Sequence, residues 1–316
     1  ASITCTATGT DADLEVITSS ASVSIDNTNP TASNVQISSV SGNFYNDETL
    51  TCTATTGDID AAPTVSYTWS SNSIDLAYTE TIDLTSQSLM PTDSLTCRVD
   101  VSDSNGGTAQ SSATEVIGNR APSVDTLSIS PNTVVLSDSG LTCLATVSDL
   151  DGESLSPSYE WFVSGVSVGT NDVLQLSNSL VEPNDSVECV ATVSDGFGGS
   201  ASDSISVSVD NSSPTIDSSS LSPSSPARTE TITCSATASD LDGGTPSLSF
   251  AFSNQTTGTT YTATSSTADS GTLDLLGVLV QPDDVVACEI TASDLDGGSV
   301  STTETVTIIN SAPSFL

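Results

Sequence analysis

The sequence predicts an all-β chain built of two-sheet sandwiches in tandem, and three observations predict it. The first is period-two alternation around each Cys: Leu141, Cys143, Ala145 and Val147 share one face of LTCLATVSD, as do Val187, Cys189, Ala191 and Val193 of SVECVATVSD. Such alternation marks a half-buried strand. The second is an aromatic residue, Trp161, between the two Cys-bearing runs, so two sheets are expected face to face with the cysteines and the indole inside. The third is repetition. Cys52, Cys143 and Cys234 stand 91 residues apart, and Cys97, Cys189 and Cys288 follow with steps of 92 and 99, the signature of a repeat architecture.

The chain then divides into units. Residues 1–30 align only with the second half of a unit, which puts Cys5 at a second-Cys position whose partner is expected upstream of Ala1 or in another chain. Complete units are expected over 31–121, 122–213 and 214–312, with 313–316 opening a further one, so that the chain reads as a window in a longer array. In the first unit strands are expected over Asn34–Val40, Glu48–Thr55, Thr64–Trp69, Asp75–Leu84, Ser94–Ser102 and Ala109–Val116. The longer step to Cys288 places a short insertion in TTGTTYTATSSTADSGT, around Tyr261. Before each second Cys a Pro is followed two residues later by Asp (Pro91 and Asp93, Pro183 and Asp185, Pro282 and Asp284); Pro fixes the turn and Asp accepts backbone hydrogen bonds within it. The units are joined by Asn-x-x-Pro linkers at Asn27, Asn119, Asn211 and Asn310. Pro with little Gly favours a semi-rigid rod over a flexible string.

The Cys, Trp, Cys order resembles that of an immunoglobulin-like sandwich, and ATVSDLDGESLSPSYEWFVSGVSVG resembles the Ig-like and PKD-like repeats of prokaryotic cell-surface and secreted proteins, which often carry a DxDG turn before a Tyr-x-Trp strand. The resemblance runs through the whole chain. It implies one inter-sheet disulfide per unit, pairing Cys52 with Cys97, Cys143 with Cys189 and Cys234 with Cys288, packed by the core aromatics Trp69, Trp161 and Phe252. The Tyr often found at the corner before the second Cys of immunoglobulin domains is absent here, which sets the chain apart from antibody-like domains.

Composition narrows the function. There are 40 acidic residues, three Arg (Arg98, Arg120 and Arg228), no Lys and no His, for a net charge of −37. Such a chain repels nucleic acid and anionic membranes, and regularly spaced cysteines point to an oxidising compartment, outside the cell or on its surface. With no His or Lys to serve as base, the many Ser residues lack the means to become nucleophiles, and the carboxylate pairs recur in repeated turns instead of one cleft; an enzyme is not expected.

Two kinds of site remain. The turns Asp149-Leu-Asp151, Asp240-Leu-Asp242 and Asp294-Leu-Asp296 set paired carboxylates on tight loops. They read either as plain Asx turns or, with oxygens from an opposite turn or neighbouring unit, as calcium sites. Asn184, Asn211 and Asn254 lie in Asn-x-Ser/Thr sequons and are candidate glycosylation points. The expected function is structural: an extracellular stalk, fibre or filament. The alternative is an adhesin whose loops bind glycans or another cell, for which Tyr261 is the candidate exposed aromatic. Expected partners are neighbouring units or other copies of the chain, with self-association needing salt or divalent cations to overcome the charge.

Overall fold

The computed structural model describes residues 2–310; the expected start of a further unit at 313–316 lies outside the described residues. These residues form two compact units. The first holds the chain up to Pro122 together with Ser148–Leu155 and Ser194–Ser200; the second holds Ser123–Val147, Ser156–Val193 and the chain from Ala201 onward. Among the described residues no helix is long and apolar enough to cross a membrane.

The first unit begins with a two-stranded antiparallel ribbon, β1 (Ser2–Thr10) and β2 (Val16–Ser24), with Cys5 opposite Ala21. Every residue of both strands is exposed, and Cys5 forms no disulfide among the described residues. A complete sandwich follows, of β3 (Thr31–Ser39), β4 (Thr49–Gly57), β5 (Thr64–Ser71), β6 (Ile74–Ala77), β7 (Thr81–Asp83), β8 (Ser94–Ser102) and β9 (Thr108–Val116). Its two sheets have the orders β3-β4-β7 and β6-β5-β8-β9. In β8 the inward residues Leu95, Cys97, Val99 and Val101 are buried and alternate with more exposed polar neighbours, the pattern a pleated strand imposes. Cys52 of one sheet bonds Cys97 of the other, and Trp69, directly across the strand pair from Cys97, is fully buried beside them.

The strand expected over Asp75–Leu84 is instead two short strands in different sheets. β6 pairs with β5 and β7 with β4. The chain crosses at Tyr78–Glu80, where the Thr79 carbonyl accepts the Trp69 indole N–H at 2.9 Å and the Glu80 carbonyl accepts the Cys52 amide at 2.9 Å. Apolar alternation continues through the crossing, so periodicity alone does not reveal it.

The second sandwich comprises β10 (Ser123–Ser130), β11 (Gly140–Ser148), β12 (Ser158–Val163), β13 (Val166–Gly169), β14 (Val173–Gln175), β15 (Ser186–Ser194) and β16 (Ser200–Ser208). Its sheets, β10-β11-β14 and β13-β12-β15-β16, repeat the first arrangement, with a Cys143–Cys189 bond and Trp161 opposite Cys189. The third comprises β17 (Thr215–Ser222), β18 (Thr231–Ser239), β19 (Ser247–Asn254), β20 (Thr259–Tyr261), β21 (Ser265–Ser266), β22 (Ser270–Asp274), β23 (Val285–Ser293) and β24 (Ser299–Thr307). Here β21 adds a fourth strand, giving β17-β18-β22-β21 beside β20-β19-β23-β24. Cys234 bonds Cys288, and Phe252 takes the aromatic place opposite Cys288. The chain is thus a tandem of all-β, immunoglobulin-like sandwiches, each complete one carrying a single disulfide between its sheets.

Candidate functional site

The acidic turns hold the linkers. After each second-Cys strand, an Asp divides the work between its two carboxylate oxygens. Oδ1 of Asp195 accepts the amides of Phe197 and Gly199 at 2.7 and 2.9 Å, closing its own turn, and Oδ2 accepts the side-chain amide of linker residue Asn119 at 2.8 Å. Asp103 with Asn27 and Asp294 with Asn211 repeat the bond at 2.8 and 3.1 Å. The hydrogen bond from Asn27 holds the Asp103 carboxyl below the usual carboxylate range, and that from Asn119 does the same for Asp195. Gly is required at the end of this turn: a Cβ at Gly199 would collide with Asp195 Oδ2 and stand 2.9 Å from the Ala121 backbone.

The DxD turns hold the next linker residue. The first Asp caps its own turn, Asp149 Oδ1 accepting the Asp151 amide at 2.8 Å. The second accepts the amide that follows the linker Asn: Thr28 to Asp60 at 2.6 Å, Arg120 to Asp151 at 2.7 Å and Ser212 to Asp242 at 2.6 Å. Each of these three linkers is therefore tied at two consecutive residues to two different turns. Asx capping, one of the two readings of these turns, is present, and it coexists with oxygens that no donor reaches.

Those oxygens concentrate in the first unit around Asp149, Asp151 and Glu153, whose carboxylate oxygens lie within 4.8 Å of one another and can hold a divalent cation. Asp151 is 4% exposed and Asp195 9%. Arg120 answers part of this charge: its guanidinium reaches Asp151 at 2.7 Å and Asp47 at 2.9 Å and lies 4.7 Å above the Tyr45 ring. Burial opposes that guanidinium's charge, but the bonds to Asp47 and Asp151 outweigh it and raise its pKa. Asp149 Oδ2, both Oε atoms of Glu153 and Asn119 Oδ1 are buried without a hydrogen-bond partner. Burial pushes the Glu153 carboxyl above its ordinary pKa, and the charges of Asp149, Asp151 and Asp195 push it the same way.

The other predicted acidic residues gather in the second unit, where Asp240, Asp242, Asp294 and Asp296 line one pocket with Asn211 and Glu182. Asp294 is held by Asn211, whereas the Asp296 side chain is exposed and only its backbone joins the turn. Asp294-Leu-Asp296 therefore does not act as a second DxD turn. Glu153, Arg120 and the linker Asn side chains do not stand out as site residues in the sequence. The recurrence of Asn at each linker start is the signal that could find the linker side chains, since a spacer alone does not need it.

The sequons differ in setting. Asn184 is exposed. Asn254 is wholly buried, giving its side-chain N–H to Asp284 at 2.9 Å and accepting the amides of Thr256 and Thr257; a glycan there would destroy the network, so the expectation of glycosylation at Asn254 is withdrawn. Asn211 uses its amide nitrogen on Asp294. Tyr261 is also not the exposed aromatic expected of an adhesive loop: it packs against the third core and donates its hydroxyl to the Leu279 carbonyl at 2.8 Å.

No protein-family model matches the sequence, and no curated protein matches it. Solved structures do match it. They include a Ca²⁺-stabilized adhesin that helps an Antarctic bacterium bind ice, at 15% identity over 98% of this chain and 82% of that one, with a TM-score of 0.39. A tetra-tandem repeat from the extending region of a large adhesion protein has 19% identity over 97% and 81%, with a TM-score of 0.37. Immunoglobulin domains 1–5 of Sidekick-1 have 13% identity and a TM-score of 0.37; 91% of this chain is covered, and the match spans 60% of the Sidekick-1 structure.

Proposed function

We propose that this chain is a structural segment of an extracellular protein, a stalk, fibre or filament of tandem immunoglobulin-like sandwiches that works by spacing and by bearing load. The observation that carries this reading is the twofold tie at each linker, in which Asn27, Asn119 and Asn211 and the residue after each are held by two acidic turns. A spacer benefits from linkers that resist bending, because resistance preserves reach. Disulfides suit the same role, since each complete sandwich is small and an inter-sheet bond stabilises it by about 2–4 kcal/mol. The dense acidic surface keeps neighbouring copies apart at low salt. The alternative, an adhesin, loses the exposed aromatic that Tyr261 would have offered it, because that side chain packs against the third core.

Antibodies raised against the chain and used for immunogold microscopy on cells of the source organism test this. Gold at or beyond the cell surface, in line with the protein's reach, is expected. Gold confined to the cell interior would overturn the reading.

A further inference from the structure

The buried oxygens around Glu153 have a common solution. We infer that one hard divalent cation, calcium in preference to magnesium, binds between the DxD turn and the linker in the first unit, taken by Asp149, Glu153 and Asn119, with Asp195 orienting Asn119 and Arg120 holding the adjacent Asp151.

Four oxygens there make no well-formed hydrogen bond: Asp149 Oδ2, Glu153 Oε1 and Oε2, and Asn119 Oδ1; the Glu153 backbone amide, the one donor beside its carboxylate, lowers that group's pKa without overcoming burial. All are acceptors and all are buried, a combination that costs heavily unless a positive centre satisfies it. Arg120 is not that centre for these atoms. Its side chain is spent on Asp151, Asp47, the Asn46 side chain and the Leu150 carbonyl. A proton on Glu153 donated to Asp149 Oδ2 would satisfy two oxygens and leave two. A water would supply two donors and no charge. A divalent cation answers all four, and hard oxygen donors with a carboxylate able to bind through both oxygens are what calcium takes; magnesium demands tighter octahedral geometry and keeps its waters.

The surroundings are arranged for it. Asn119 gives its nitrogen to Asp195 and so is left with its oxygen unused, the kind of outer contact that fixes a ligand's orientation. Both Asp151 oxygens are held by Arg120, one by the backbone amide and one by the guanidinium, so Asp151 lends charge without being a free ligand.

The other linkers show what is particular here. Glu153 is replaced by Ala62 in the first repeat and Gly244 in the third, and Arg120 by Thr28 and Ser212. At the first linker the Asn27 oxygen is satisfied by the Asn105 side-chain amide at 3.0 Å, which leaves Asp58 Oδ2 as the unpartnered buried oxygen of that cluster. At the third, Asp240 Oδ2, Asp242 Oδ1 and Asn211 Oδ1 are unpartnered, but no third turn carboxylate stands in the place of Glu153.

The full chain, stripped with chelator, is titrated with calcium chloride in a calorimeter, alongside Glu153→Gln and Asp240→Asn. One dominant site is expected in the native chain, weakened about tenfold or more in Glu153→Gln and unchanged in Asp240→Asn. Melting adds a readout with opposite signs. Without calcium, Glu153→Gln melts higher than the native chain because an unanswered buried charge is gone; with calcium, only the native chain gains. If Glu153→Gln fails to fold, Glu153→Ala, the residue of the first repeat, takes its place. No binding by the native chain, equal affinity in the Glu153 variant, or loss of the dominant site in Asp240→Asn would each overturn the assignment.

Discussion

Asn119 donates its side-chain amide to Asp195 at 2.8 Å across 76 residues of sequence, and the same bond joins Asn27 to Asp103 and Asn211 to Asp294. Because the acceptor carboxylate also closes its own turn, the pair fixes the linker to the turn in one step. Replacing Asn211 with Ala removes the donor and leaves Asp294 its backbone bonds alone. The Ser212 amide, held by Asp242 at 2.6 Å, should then exchange with solvent faster, on the order of tenfold, while core amides of β23 keep their protection. Hydrogen exchange followed by mass spectrometry checks this.

The first linker should respond to acid. The Asn27 bond, helped by the amides of Gly107, Asn105 and Gly106 and opposed by burial, depresses the Asp103 pKa. A group whose pKa is lower folded than unfolded stabilises the fold above its unfolded value and loses that contribution as pH falls through the folded one. The stability difference between the native chain and Asp103→Asn should therefore be constant from neutral pH down to the ordinary carboxylate value of about 4 and shrink below it. Denaturant unfolding at a series of pH values measures it.

In the second core, Trp161 is fully buried and its N–H is held by the Asn171 carbonyl at 2.8 Å. Phe252 shows that a phenyl ring can fill the equivalent place in the third sandwich. Trp161→Phe should cost about 1–2 kcal/mol, from the lost bond and a small void, against about 3–5 kcal/mol for Trp161→Ala. Equilibrium denaturation compares the two.

Expressed in a host that glycosylates Asn-x-Ser/Thr sites, the chain should carry glycan at Asn184, which is exposed, and none at Asn254, which is buried and bonded to Asp284. Peptide mass mapping decides. Asn254→Ala should destabilise the third sandwich by about 1–3 kcal/mol, since Asp284, 7% exposed, loses a donor.

The sandwich cores are legible in the sequence because burial in a strand imposes a period of two, and Cys143, Cys189 and Trp161 announce which face is inside. The break between β6 and β7 is not, because Ile74, Leu76 and Ile82 keep an apolar rhythm across a change of sheet that only the bonds to Thr79 and Glu80 reveal. The acidic turns can be seen as pairs such as Asp149 and Asp151, which are near neighbours in sequence. Their work on the linkers cannot, because Asn119 meets Asp195 only after six strands of the second sandwich, β10 to β15, have folded between them. Glu153 is hidden for a related reason: one carboxylate among 40 acidic residues is distinguished by two buried oxygens that make no well-formed hydrogen bond.

The indoles of Trp69 and Trp161 sit directly across their strand pairs from Cys97 and Cys189, inside the same cores as the disulfides. Disulfides quench neighbouring indole emission, so tryptophan emission of the native chain is expected to be weak and to brighten when its sulfur bonds are cut. The third sandwich, with Phe252 in that place, takes no part in the signal. The molecule thus carries its own optical gauge of oxidation for two of its three complete repeats, and any loss of the third passes unseen by that light.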